Sequence, residues 1–234
     1  MIKVFAFIAK RRDISEQQFH AHWREPHGRL TQAVGQIQRY IQNHAIGGAG
    51  ELSGLAAMRY QGIATIWVEE PATLDEIFAN PAFLPVKQDE ANFLEQEHLA
   101  WLICDSHVHG QTADPANISA VPGKIMLFLR RSQYLSGVEF AQRLQGAAQW
   151  GKRTLPGIAQ VSVDLPRADV YDDANPSLFD GVLELSFGDR ESAEQAWCTQ
   201  GAACLGQLQD LVRMDASRGF LAQEERFIWP PFAA

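Results

Sequence analysis

The strongest constraint on this chain is that it repeats itself. The run Lys3-Val-Phe-Ala-Phe-Ile-Ala-Lys10 returns as Lys124-Ile-Met-Leu-Phe-Leu-Arg-Arg131, an offset of 121 residues. The helix start that follows returns at the same offset. Ser15 with Gln18 forms a capping box flanked by Ile14 and Phe19, and Ser136 with Glu139 repeats it, flanked by Leu135 and Phe140. After each helix come a strand, a second strand, a helix and a last strand. In the first copy these strands span residues 39–46, 62–69 and 99–108, with capping at Thr73 and Glu76 for the short helix. In the second they span 158–165, 181–187 and 211–215, with a helix over 189–198. Two βαββαβ units, each leaving one sheet face bare, can bury those faces against each other. The expected product is an α+β protein, a pseudo-twofold barrel made from one chain. The boundaries are residues 1–111 and 123–234, joined by a polar linker at 112–122.

Composition narrows the function classes. The chain of 234 residues is 46% hydrophobic and carries a formal charge of −8, with no basic stripe that would grip nucleic acid. No apolar run approaches the roughly 20 residues of a membrane-spanning helix, so neither nucleic acid nor membrane is an expected partner. Three cysteines, Cys104, Cys198 and Cys204, without C-x-x-C spacing or a leading signal peptide, fit a reducing cytoplasm. A small molecule remains as the expected partner, and the pseudo-dimer could stand alone or pair as a homodimer.

The chemistry concentrates in Phe19-His-Ala-His-Trp-Arg-Glu-Pro-His-Gly-Arg-Leu30. Phe19, His22, Trp23, Pro26, His27 and Leu30 fall on one helical face, which places His22, Trp23 and His27 inward and His20 in solvent. Pro26 should kink the helix and aim His27 apart from Trp23. At the 121-residue offset the second copy has Arg143, Leu144 and Ala148 where the first has His22, Trp23 and His27. The polar chemistry belongs to one half.

Strand, Phe19-x-x-x-Trp23-x-x-x-His27, then a strand bearing Tyr40, with Asp89 and Phe93 in a later Asp-Glu-x-x-Phe stretch, resembles the EthD-like proteins of the dimeric α/β-barrel superfamily, named for ethyl tert-butyl ether degradation. The resemblance covers the first half well and the second half weakly. It implies ferredoxin-like βαββαβ repeats, here in tandem, whose sheets form a barrel with a cavity beneath the helices. It also implies a place in catabolism among lyases, cyclases, small monooxygenases and haem-using enzymes.

Residue by residue, His27 is the first candidate for acid-base chemistry, because an imidazole titrates near cellular pH. The bland alternative is a buried histidine bonded to a backbone carbonyl at the kink. Tyr40 and His22 are candidates to orient a substrate oxygen. Tyr40, Gln42 and His44 share one strand face, and its direction, barrel interior or helix side, is open from sequence. Trp23, His44, Phe5 and Phe7 are candidate cavity walls. Asp105, His107 and His109 alternate on a strand end that reads as solvated, and no metal site is expected. Gly47-Gly-Ala-Gly50 lacks dinucleotide-loop spacing. The expected function is a cofactor-independent lyase, cyclase or monooxygenase acting on a small aromatic or polyketide-like substrate. The alternatives are a binding module for a small hydrophobic ligand and a haem-binding barrel with His27 or His22 as axial ligand.

Overall fold

A computed structural model describes residues 1–47, 50–109 and 120–229. Gly48 and Ala49 of the glycine loop, and residues 112–119 of the expected linker, lie outside the described residues. The first half runs β1 (Ile2–Ile8), α1 (Glu16–His22), a widened turn at Trp23–His27, α2 (Gly28–Gln32), β2 (Arg39–Ala45), β3 (Gly62–Val68), α3 (Ala72–Ala79), α4 (Leu84–Glu90) and β4 (Ala100–His109). The second runs β5 (Gly123–Leu129), α5 (Gly137–Thr154), β6 (Ile158–Pro166), β7 (Gly181–Phe187), α6 (Arg190–Leu208) and β8 (Arg218–Ile228). The eight strands pair antiparallel in the order β1-β3-β2-β8-β5-β7-β6-β4 and close on themselves. This is an α+β fold around a closed antiparallel barrel.

The near-continuous apolar strands follow from that closure, because both faces of each strand are buried. Phe5, Phe7, Met126, Phe128 and Phe220 fill the barrel interior, with Phe7 and Phe128 ring centroids 5.0 Å apart. The alternate residues face outward. Val4, Tyr40 and Ile66 lie beneath the first-half helices, and Ile125, Val163 and Leu185 lie beneath α5 and α6. Phe5 and Phe7, expected on a ligand cavity, therefore belong to the barrel interior instead.

One end of that interior is ionic. Lys3 contacts Glu184 and lies 3.2 Å from Asp164, while Lys124 bridges Glu184 at 3.2 Å and Glu224 at 2.5 Å. Arg226 closes the cluster on Glu224 at 2.8 Å. Buried charges survive only when paired, since removing one partner strands the other in low dielectric. Burial and the neighbouring Glu184 push the Asp164 carboxyl up to about 7, against the pull of Lys3. Glu184, between two lysines, is held below the usual carboxylate range although burial acts the other way.

Both capping boxes form as read: Ser15 Oγ accepts from the Gln18 amide at 3.1 Å, and Ser136 Oγ from the Glu139 amide at 3.2 Å. Other local expectations give way to packing. Thr73 and Glu76 make no capping box, because the helix already starts at Ala72 behind Pro71. α4 ends at Glu90, with Asp89 in its last turn, and a separate single 3-10 turn follows at Gln96–His98. The helix expected over residues 189–198 continues to Leu208, and Gly201 within it leaves room for the Trp197 indole. The last strand is not residues 211–215. Leu211 and Val212 plug the core beside α6, and the strand begins at Arg218.

The kink forms at Glu25, whose φ of −144° and ψ of 125° leave the helical region before Pro26. Pro26 itself is exposed rather than inward. Arg24 clasps Glu225 of β8 with contacts of 2.6–2.8 Å, which ties the kinked segment to the barrel. Trp23 lies flat on β3 at Gly62, where an added Cβ would stand 2.3 Å from its ring.

Two outcomes follow. Gly62→Ala should destabilise the fold by about 1–3 kcal/mol in urea titrations by overpacking Trp23, whereas Gly35→Ala, with open space around it, should cost much less. For Asp164 the sign is that of an acid whose folded value lies above its unfolded one. The folded state binds the extra proton, so this group's stabilisation is full below about pH 4 and lost as pH rises toward about 7. Asp164→Asn should flatten that slope in denaturation midpoints measured from pH 4 to 8.

Candidate functional site

The site is organised by one carboxylate. Asp89, in the last turn of α4, accepts from Nδ1 of His27 at Oδ2 (3.0 Å) and from Nε2 of His22 at Oδ1 (2.9 Å), while Asn92 donates to Oδ1 at 3.0 Å. Burial alone would raise the Asp89 carboxyl, but the hydrogen bonds from Asn92, His22 and His27 hold it below its ordinary value. An ionised carboxylate only accepts, so Nδ1 of His27 carries the hydrogen and Nε2 carries the lone pair. Phe93 packs on both imidazoles, with centroids 5.2 Å from His22 and 4.7 Å from His27. Burial drives the His27 pKa below the ordinary histidine value against the opposing pull of Asp89, which leaves the ring neutral at pH 7.

His27 lines a narrow cavity of about 60 Å³ between the outer face of the first-half strands and the helices above them. Its walls are apolar, from Ile8, Ile66, Ile77 and Leu99 among others, and its polar groups are His27, Thr31, Tyr40 and Glu90. Phe78, 45% exposed, stacks near Phe83 (5.3 Å) and Trp101 (5.6 Å), both also on the cavity wall, and forms the mouth. Burial raises the Glu90 carboxyl above its ordinary value. His22 stands on the other side of Asp89, in an open surface cleft with Ile14, Gln18 and Asn92.

Tyr40, Gln42 and His44 prove to lie on the outer, helix-facing side of β2. Tyr40 reaches the cavity, and burial pushes its phenol well above the ordinary value. His44 stacks against Trp23 at 4.4 Å and bonds His20 and Gln42, each at 2.9 Å. His20 is thus half-buried rather than solvated, and burial lowers its pKa to about 4. Trp23 is fully buried behind the cavity rather than on its surface, with its indole Nε1 lacking a hydrogen-bond partner. The structure gathers His27, His22, Trp23, Tyr40 and His44 around the α1 kink and excludes Phe5 and Phe7.

Asp89, Thr31 and Gln42 complete the site; from sequence Asp89 stands out only through the family resemblance, Gln42 only as a strand-face neighbour of Tyr40, and Thr31 not at all. A signal for Asp89 exists in its spacing from Phe93, since one turn of chain presents both to the same histidines. Asp105 pairs with Arg167 at 2.5 Å and His107 is exposed, so that strand end is solvated as expected. Among the described residues, the one group whose ligand atoms could share a metal ion is Glu95, Glu97 and His98, none of which lines the cavity, and Glu95 already pairs with Arg12 at 2.9 Å.

The Phe19-Trp23-His27 helix, the Tyr40 strand and the Asp89-Phe93 turn thus converge in space, and residues 11–97 match the EthD domain family. It is this stretch of the first half that is similar to an EthD domain. No curated protein matches the chain. Solved structures with the same fold include a provisionally named monooxygenase from Fusobacterium nucleatum, with 12% identity and a TM-score of 0.59, covering 100% of this chain and 94% of that one. A second provisionally named monooxygenase, from Lactobacillus acidophilus, has 8% identity and a TM-score of 0.55, with coverage of 98% and 95%. A mutant chlorite dismutase from Candidatus Nitrospira defluvii has 11% identity and a TM-score of 0.50, with coverage of 97% and 91%. At such identities the likeness extends to the fold alone. Among the described residues, no helix is long and apolar enough to cross a membrane.

Haem does not fit this cavity as it stands. Pockets that hold drug-sized ligands span roughly 300–1,000 Å³, several times the space beside His27.

The Asp89 contact has a measurable signature. In Asp89→Asn the partner that raises the His27 pKa is lost, so His27 should titrate lower still by NMR, and both imidazoles should lose their fixed tautomers.

Proposed function

We propose that this protein is a small-molecule enzyme in which Nε2 of His27 removes a proton from a small aromatic or polyketide-like substrate without a bound cofactor. The observation that carries it is the 3.0 Å bond from His27 Nδ1 to Asp89, which leaves Nε2 as the free nitrogen of a neutral ring on an apolar cavity. A base needs its lone pair free at working pH, a partner to orient it, and exclusion of water. Asp89 plays the orienting part that carboxylates play beside catalytic histidines elsewhere. Tyr40 donates to the substrate oxygen on which charge collects as the proton leaves.

Proton removal from an enolisable or phenolic ring is the first step shared by lyase, cyclase and cofactor-free oxygenation, and the chain's own groups supply that step. A single aromatic ring fills about 150 Å³ of cavity, so entry requires Phe78 to swing outward at the mouth. We read the two halves as tandem ferredoxin-like repeats, residues 1–111 and 123–234. This reading is supported by the shared strand order, since β4-β1-β3-β2 and β8-β5-β7-β6 follow one pattern. The second repeat packs Leu144 and Ala148 in solid core at the positions of Trp23 and His27, so one site per chain is expected. The barrel closes within one chain, which permits a monomer.

Hydrogen exchange tests the base. With acetophenone in deuterated buffer, NMR should show enzyme-dependent exchange of the methyl hydrogens. His27→Gln should slow it by about 10²–10⁴. Unchanged exchange in that variant overturns the assignment, and a fall in affinity alone would make the domain a binding module.

A further inference from the structure

The hydrogens around Tyr40 can be placed one after another, because each link has a single consistent donor. Nε2 of Gln42 lies 2.6 Å from the backbone carbonyl of Trp23, which can only accept, so the amide orientation of Gln42 is fixed. The remaining amide hydrogen points at Tyr40 Oη, 2.7 Å away, and the phenol oxygen accepts it. Oε1 of Gln42 then faces Nε2 of His44 at 2.9 Å, and that nitrogen must carry the hydrogen. His44 is nine-tenths buried and neutral, so its Nδ1 is a lone pair, and Nδ1 of His20 at 2.9 Å must be the donor. Donation runs one way: His20 to His44, His44 to Gln42, Gln42 to Tyr40.

With its oxygen already accepting, Tyr40 has its own hydrogen left to give. Thr31 lies beside the phenol, but its hydroxyl hydrogen goes to the His27 carbonyl at 3.1 Å, so Thr31 can offer Tyr40 only a weak neutral acceptor. The fully buried Trp23 Nε1 also lies beside the phenol without an acceptor in bonding geometry. Tyr40 is therefore the donor that the cavity offers a ligand, with only the weak Thr31 acceptor competing for its hydrogen.

We infer that the cavity selects ligands presenting an acceptor oxygen, a carbonyl or its enolate, at Tyr40, and that Gln42, His44 and His20 are positioning residues that hold Tyr40 as a donor. The inference rests on the proposed role of Tyr40 and extends it to three residues that do not touch the ligand. Bonds polarised in the same sense strengthen one another, so each link adds to the donor strength of the last. The cavity is then asymmetric: an acceptor at Nε2 of His27, a donor at Tyr40. A carbonyl compound with an acidic hydrogen next to its oxygen-bearing carbon matches both.

The test compares acetophenone with α-methylstyrene, which has the same shape but no acceptor oxygen. The wild-type protein should bind acetophenone about fivefold more tightly, the worth of one neutral hydrogen bond, and shift its carbonyl carbon downfield by NMR. Tyr40→Phe should abolish both effects. Gln42→Met and His44→Phe, checked for folding by thermal melting, should keep α-methylstyrene affinity while reducing the preference and the carbonyl shift. If Tyr40→Phe removes the preference but both other variants retain it in full, the positioning chain is wrong and the role of Tyr40 stands. If the wild-type protein shows no preference, or Tyr40→Phe keeps it, both fall.

Discussion

Closing eight strands into a barrel gives each strand two buried faces and assigns every side chain to one of them. The organisation of this protein descends from that division. The interior takes Phe5, Phe7, Phe128 and the paired charges around Glu184. The apolar cavity that His27 reaches lies on the outer face, where helices lie over strands and where the α1 kink lifts the chain. A slip of one residue in β2 would carry Tyr40, Gln42 and His44 into the interior and leave His27 facing Ile41 and Asn43.

The two halves solve the same packing problem differently. In the second, α5 runs unbroken for 18 residues and presents Leu144 and Ala148 to a dense core. In the first, Pro26 breaks the corresponding helix, Gly62 makes room for Trp23, and α4 brings Asp89 against two imidazoles. The cost is borne by polar groups that need partners in a buried place. Almost all find them within the site, and the exception, Trp23 Nε1, is sealed behind the cavity.

Local chemistry made much of this legible. Capping boxes and period-two runs depend on neighbours a few residues apart, so the starts of α1 and α5 and most strands follow directly from the residues. The choice of His27 over His20 as the cavity group follows from helical phase and from comparison with Ala148. What the sequence hides are decisions made by distant contacts. Strands apolar on both faces do not disclose which way Tyr40 points. His20 looks exposed by phase, yet His44 from β2 covers it. Asp89 gives no sign of serving two histidines 62 and 67 residues earlier. The last strand begins late because Leu211 and Val212 are taken by the core rather than by the sheet.

The link from His20 to His44 has a consequence for variation in such proteins. His20 sits at the rim, partly open to water, where surface positions ordinarily drift freely. Here it is the outer terminal of a wire whose inner terminal is a phenol. A surveyor grading positions by accessibility would class it as tolerant, whereas natural drift at that rim would retune the acceptor preference of the cavity without altering any wall that a ligand touches.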